Sequence, residues 1–163
     1  MPIAVHSFHV LHFPKMRISA ALLARIFNRE NRYALIVNLN RSKKGETVLS
    51  PIGGSIKLTP QGVTELTHLL GLRDSSLEGG NKLRFRMRGA EANILRAWFL
   101  ERKNRELEPT REIIEELADE AMLVTKVDLT EVRCSLVGFY TELATTTRVG
   151  SEGQMTLRLL EVF

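Results

Sequence analysis

The segment PTREIIEELADEA, from Pro109 to Ala121, carries two patterns at once. Pro109 is tolerated in the first turn of a helix, and Ile113, Ile114, Leu117, Ala118 and Ala121 recur at the spacing of one helical face. At about 100° per residue, Glu112, Glu115, Glu116 and Asp119 then fall within an arc of about 100° opposite that apolar stripe. Like charges three and four residues apart cost roughly a few tenths of a kcal/mol per pair. A divalent cation that prefers oxygen ligands, Mg²⁺ for instance, would offset the penalty. The same pattern also describes a solvated acidic face on a surface helix, and periodicity leaves both readings open.

Upstream, AEANILRAWFLER repeats apolar groups at Ile94, Leu95, Trp98 and Phe99, which predicts another amphipathic helix with Trp98 and Phe99 in the core. KLRFRMR alternates Leu83, Phe85 and Met87 with Arg84, Arg86 and Arg88, the period of a strand with three arginines on one face. Behind Thr59-Pro60, QGVTELTHLLGL places Val63, Leu66, Leu69 and Leu70 on one helical face and ends at Gly71, with His68 as a surface or interface group. Further back, VLSPIGGSIKL is an extended piece broken by Pro51 and by Gly53-Gly54, where the backbone can turn or approach a ligand closely. MRISAALLARIF and RYALIVNLN read as a hairpin joined by the polar turn Asn28 to Asn31, with Ala34 to Val37 as a buried run. Downstream of the opening segment, MLVTKVDL, RCSLVGFYTEL and QMTLRLLEVF return the chain to a sheet.

Of the 163 residues, 44% are apolar and 26% charged with both signs interspersed, which predicts one domain with a packed core. A single cysteine, Cys134, excludes an internal disulfide framework and suits a reducing cytoplasm; it reads as a small hydrophobe in a strand. No apolar run approaches the ~20 residues that cross a bilayer, and MPIAVHSFHVLHFPK lacks the pattern of a signal peptide, so neither membrane nor export is expected. His6, His9 and His12 have no acidic or cysteine partner beside them and read as incidental. The net charge of +4 conceals a split: residues 1–105 hold 18 basic and 7 acidic side chains, residues 106–163 hold 5 and 12. One part could meet phosphates and the other a cation, although charge alone also allows plain nucleic-acid binding.

The order R-E-I-I-E-E-L from Arg111 resembles the core of the Nudix box, in which an Arg-Glu pair is followed two residues later by Glu-Glu on the same helix. The resemblance implies Glu112, Glu115 and Glu116 as metal-binding carboxylates and Arg111 as the arginine that orients the catalytic glutamate. Pro51-Ile52-Gly53-Gly54 is similar to the Pro-x-Gly-Gly stretch that opens the family's catalytic loop, which implies the Gly53 carbonyl at the metal and Gly54 beside the substrate. Three features depart from the general box. Gly54 and Arg111 are 57 positions apart, Lys103 stands where a loop glutamate is expected, and Ala118 and Asp119 stand where a glycine and an apolar residue are expected.

The SMODS-associated Nudix family, found with nucleotidyltransferases of bacterial cyclic-nucleotide defence systems, is the nearer likeness. MRISAALLARI, RYALIVNLNR, PIGGSIK, NKLRFRM, RAWFLERKNRELEPTREIIEEL and TTTR…TLRLLEVF carry it over most of residues 16–163. In that pattern an inserted helical segment separates the glycine pair from the box, and Arg105-Glu106 occupies the place of an Arg-Glu pair shortly before the box helix. Glu106 is thus the expected substitute for the loop glutamate as a metal ligand.

The implied fold is α/β, a Nudix-type α/β/α sandwich around a mixed β-sheet: a single domain over 1–163, with an insertion and first amphipathic helices at about 59–104 and the Nudix helix at 109–121. The implied activity is Mg²⁺- or Mn²⁺-dependent attack of water on phosphorus in a nucleoside diphosphate derivative, in an antiviral defence setting. Glu116 is the expected central ligand, Glu112 and Glu115 complete the site, and any of the three could act as base. Arg84, Arg86 and Arg88 either hold substrate phosphates or serve solubility on an exposed strand. Glu142 is either a further carboxylate reaching the metal or an exposed strand residue. The implied partners are a nucleotide-derived small molecule and a nucleotidyltransferase or other defence component; nucleic acid is disfavoured, and a homodimer is left open. A second hypothesis, motivated by Lys103 and Ala118, is a Nudix-fold nucleotide-sensing or protein-interaction module without turnover.

Overall fold

The computed structural model describes residues 15–38, 42, 45–72, 77–120, 133–146 and 150–163. His6, His9, His12, Ala121, the MLVTKVDL segment and Thr147-Arg148 lie outside these residues. The described elements are β1 (Met16–Ala24), β2 (Ile36–Val37), β3 (Leu49–Ser50), β4 (Ile52–Ser55), α1 (Pro60–Leu70), β5 (Arg84–Met87), α2 (Ala92–Glu101), α3 (Thr110–Ile113, continuing as a π-helix over Ile114–Glu120), β6 (Gly138–Thr145) and β7 (Met155–Val162). The fold is α/β. Its main sheet has the order β4-β1-β7-β6, with β5 also pairing β1, and β2-β3 form a separate two-stranded sheet.

The main sheet is mixed. β5 runs antiparallel to β1, in the register Met16↔Met87, Arg17↔Arg86, Ile18↔Phe85 and Ser19↔Arg84. At the end of β1, the Phe163 N–H donates to the Leu23 carbonyl at 2.9 Å and the Arg25 N–H donates to the Phe163 carbonyl at 2.7 Å, the slanted pattern of a parallel pair. The β1–β5 register sets buried residues against buried ones and leaves Arg17 opposite Arg86. That like-charge pairing is offset by Glu78, which takes a forked pair of bonds from Arg17 at 2.8 and 2.9 Å.

The chain gathers into two compact units, one drawn from Met1–Ala21, Ser55–Leu107 and Phe139–Leu160, the other from Leu22–Gly54, Glu108–Gly138 and Glu161–Phe163. In the first unit, α1 starts at Thr59, whose hydroxyl accepts from the Gly62 N–H at 3.1 Å, and ends at Gly71. Trp98 of α2 is buried, and its indole N–H donates to Glu65 at 2.8 Å, in keeping with a packing role. Ile94 departs from the expected stripe and is exposed; Leu95, Trp98 and Phe99 form the buried face.

In the second unit, Ala24, Ile52 and Ile113 form a buried cluster, against which Ile26, Ile36, Ile114, Leu117, Ala118 and Cys134 pack. The apolar stripe of α3 therefore meets β1 and β4 as its periodicity predicts. The expected hairpin is only partly realised: a bridge joins Phe27 to Tyr33, but β2 pairs with β3 rather than with β1. Ala34 to Val37 is not a buried run, since Leu35 and Val37 are exposed. A two-stranded sheet buries one face at most, and apolar content alone does not reveal how many strands a segment will find. Cys134 precedes β6 rather than lying in it.

Candidate functional site

The second unit brings together the glycine pair and the carboxylates of α3. Strand β4 runs so close to β1 that a Cβ on Gly53, at φ +152°, would lie 2.2 Å from the Leu22 carbonyl oxygen and 2.9 Å from the Leu23 Cα. A Cβ on Gly54 would lie 2.2 Å from the Glu112 carboxyl carbon. Two adjacent glycines thus serve two approaches: the first lets strand meet strand, and the second makes room for a carboxylate. The sequence signalled a close backbone approach there, and the group approached is Glu112.

Glu116 completes the contact. The Gly53 N–H donates to its Oε2 at 2.9 Å, across 63 positions of sequence. Burial pushes the Glu116 carboxyl up, the nearby charges of Glu112, Glu120 and Glu115 push it further, and the Gly53 hydrogen bond pulls the other way; the balance stands at about 7. Glu120 was not singled out by the helical periodicity. It lies four residues beyond Glu116, a spacing at which the two charges meet along a helix. Asp119, expected on that face, is exposed.

Arg111 lies among these carboxylates. Its guanidinium pairs with Glu112 and, at 3.0 Å, with Glu115. Glu112 is buried, whereas the Glu115 side chain keeps 46% of its exposure. The oxygen donors of Glu112, Glu115 and Glu116 are of the type that Mg²⁺ or Mn²⁺ takes, and the cradle at Gly54 and the amide of Gly53 hold two of the carboxylates. The residues present therefore fit a divalent cation by donor chemistry. Among the described residues, no three carboxylate, His or Cys side chains already converge as a metal-holding group.

The other predicted residues lie in the first unit. Glu106 is held against Lys57: its N–H donates to the Lys57 carbonyl at 2.8 Å and its Oε2 accepts from the Lys57 N–H at 3.2 Å. Arg84 and Arg86 are half-buried on β5, Arg86 donating to Gln154 and Ser151 at 3.2 Å each, while Arg88 lies beyond the strand and pairs with Glu91. Glu142 is exposed on β6 and pairs with Arg158 at 2.9 Å. In the second unit, burial, and then the charge of Glu108, push the Cys134 thiol up, the opposite of what a nucleophile needs.

The family model described as "SMODS-associated NUDIX domain" matches residues 15–163. No curated protein and no solved structure matches the chain. No described helix is long and apolar enough to cross a membrane.

Proposed function

The chain belongs to the SMODS-associated NUDIX domain family, and from that premise we propose that it hydrolyses a nucleoside diphosphate-linked substrate with Mg²⁺ or Mn²⁺ held by Glu112, Glu115 and Glu116. The observation that carries the reading is the meeting of the glycine pair with the helix carboxylates: Gly53 N–H on Glu116, and Gly54 against Glu112. When bound, the cation supplies charge neutralisation at phosphate oxygens and a lowered pKa for water. Glu116, raised to about 7 in the absence of a cation, is held at one oxygen by the Gly53 amide, and any of Glu112, Glu115 and Glu116 would serve as the base. Arg111 orients Glu112 and Glu115 through its two pairings. The Gly53 carbonyl is a further proposed ligand and Gly54 a proposed substrate contact. The SMODS association supports a nucleotidyltransferase-linked defence system as the setting.

A second reading, a nucleotide-sensing or protein-interaction module on the same fold, is favoured by one observation. Arg111 already supplies positive charge to both Glu112 and Glu115. A turnover screen of nucleoside diphosphate derivatives with Mg²⁺ or Mn²⁺, read by chromatography beside Glu116→Gln, separates the two. Product that disappears in the variant supports the hydrolase; nucleotide binding without product at any metal concentration supports the module.

A further inference from the structure

Just past β1 the chain makes a turn that the proposed catalytic site does not use. Asn28 builds it: its side-chain oxygen accepts from the N–H groups of Glu30 at 3.0 Å and Arg32 at 2.8 Å, and its own N–H donates to the Arg32 carbonyl at 3.0 Å. The turn sets Phe27 opposite Tyr33, with ring centroids 5.5 Å apart and planes tilted by 43°. Ile26 packs onto the cluster that also seats Ile113, so the turn is anchored on the same core as the carboxylate helix. Phe27 and Tyr33 nevertheless keep 44% and 40% of their surface. The Arg25 guanidinium lies 5.2 Å from the Phe27 ring centre, Arg29 and Arg32 are exposed, and Glu30, paired with Arg32, is the one acidic residue in the turn.

We infer that the Phe27–Tyr33 turn is the base-recognition element for the nucleotide substrate, the base stacking on one ring of the tilted pair and the arginines drawing its anionic portion. The inference rests on the nucleotide reading above and adds a site to it. Exposed aromatic faces take planar rings without regard to their hydrogen-bonding edges, and arginines beside them supply forked donors for phosphate. The excess of positive charge argues against a second copy of the chain as occupant, because like arginines would meet across the interface. The reach is adequate. Gly53 lies against Leu22 and Leu23, and at roughly 3.5 Å per residue Phe27 is within about 14 Å of Leu23, a span that an extended nucleoside diphosphate covers.

The test uses the full chain with two probes, ADP and inorganic pyrophosphate, titrated by calorimetry. Replacing both rings, Phe27→Leu with Tyr33→Leu, should weaken ADP binding about tenfold or more and leave pyrophosphate unchanged. The exchange Phe27→Tyr with Tyr33→Phe, which keeps both rings, should restore ADP binding and shows that the turn still folds. For a substrate that is hydrolysed, KM should rise in the leucine variant with kcat unchanged. Unchanged ADP affinity, or equal loss for both probes, overturns the inference. So does a shift in oligomeric state without loss of ADP affinity, which marks the turn as a protein interface. A leucine variant with wild-type KM overturns base recognition and leaves the hydrolase reading standing; lost ADP affinity in a chain that turns nothing over supports base recognition while the hydrolase reading falls.

Discussion

The Gly53 N–H and the Glu116 carboxylate, 63 positions apart in sequence, meet at 2.9 Å. The bond favours the ionised acid, whereas burial and the carboxylates of Glu112, Glu120 and Glu115 favour the protonated one. One strand amide against four acids on a short stretch of helix is a balance that a divalent cation would tip, because it neutralises the repulsion that raises the carboxyl.

Glu116 accordingly makes folding depend on pH in a definite direction. Its folded-state value, about 7, lies above the ordinary 4.5, so between these values the folded chain holds a proton that the unfolded chain releases. The resulting stabilisation is fully present below about pH 4.5 and is lost as pH rises through about 7. In metal-free melts across this window, Glu116→Gln should gain on the wild type as pH rises. Mg²⁺ affinity of the wild type should increase over the same range, since binding needs the carboxylate. Parallel pH profiles for the two proteins would remove Glu116 as the titrating group.

The adjacent glycines should fail differently. Gly53→Ala drives a Cβ to 2.2 Å from the Leu22 carbonyl oxygen, a backbone atom in a packed strand. Its cost should be stability, about 1–3 kcal/mol as for overpacking. Gly54→Ala meets instead the end of the Glu112 side chain, which can swing away. Its cost should be mainly in turnover and metal affinity. Denaturant melts paired with metal titrations check the contrast, and the reverse assignment of the two losses would contradict it.

The helix face of this site was legible in sequence because side chains carry periodicity: Ile113, Ile114, Leu117 and Ala118 all reach the core shared with β1 and β4. The glycine pair was legible as a place of close approach for a different reason, the absence of a Cβ. That Glu116 rather than Glu115 would receive the Gly53 amide was not, because backbone donors are identical in every residue and the π-helical stretch departs from the 3.6-residue period. The β2–β3 pairing was hidden as well. RYALIVNLN has the composition of a strand beside β1, and only tertiary context assigns Ile36 to Ser50 and Val37 to Leu49.

Arg111 should be worth more to the metal-free protein than to the loaded one. It pairs with both Glu112 and Glu115, so Arg111→Ala takes a cation away from a buried carboxylate and should cost about 1–3 kcal/mol near pH 8. Saturating Mg²⁺ should recover part of that loss by supplying positive charge to the same acids, and it should stabilise the variant more than it stabilises the wild type. Arg111→Lys keeps the charge but loses the fork, and should fall between the two. Melting temperatures with and without Mg²⁺ decide this; equal Mg²⁺-induced shifts in all three proteins would show that Arg111 and the cation do not share partners.

The three box carboxylates should not contribute equally to turnover. Glu112, though paired with Arg111, is buried against Gly54, and Glu116 accepts from the Gly53 N–H, so both carboxylates lie against strand β4. Glu115 is half-exposed and positioned by Arg111, a partner on its own helix. A ligand positioned by a second rigid element loses little freedom on binding a cation, whereas a mobile one must be ordered first. Glu112→Gln and Glu116→Gln should therefore lower kcat/KM by about 100-fold or more, about 2.7 kcal/mol of transition-state stabilisation, and Glu115→Gln by about tenfold. Steady-state kinetics with saturating Mg²⁺ and again with Mn²⁺ give the comparison. A Glu115→Gln loss as deep as the other two would make Glu115 a full ligand and would require Arg111 to release it when the cation binds.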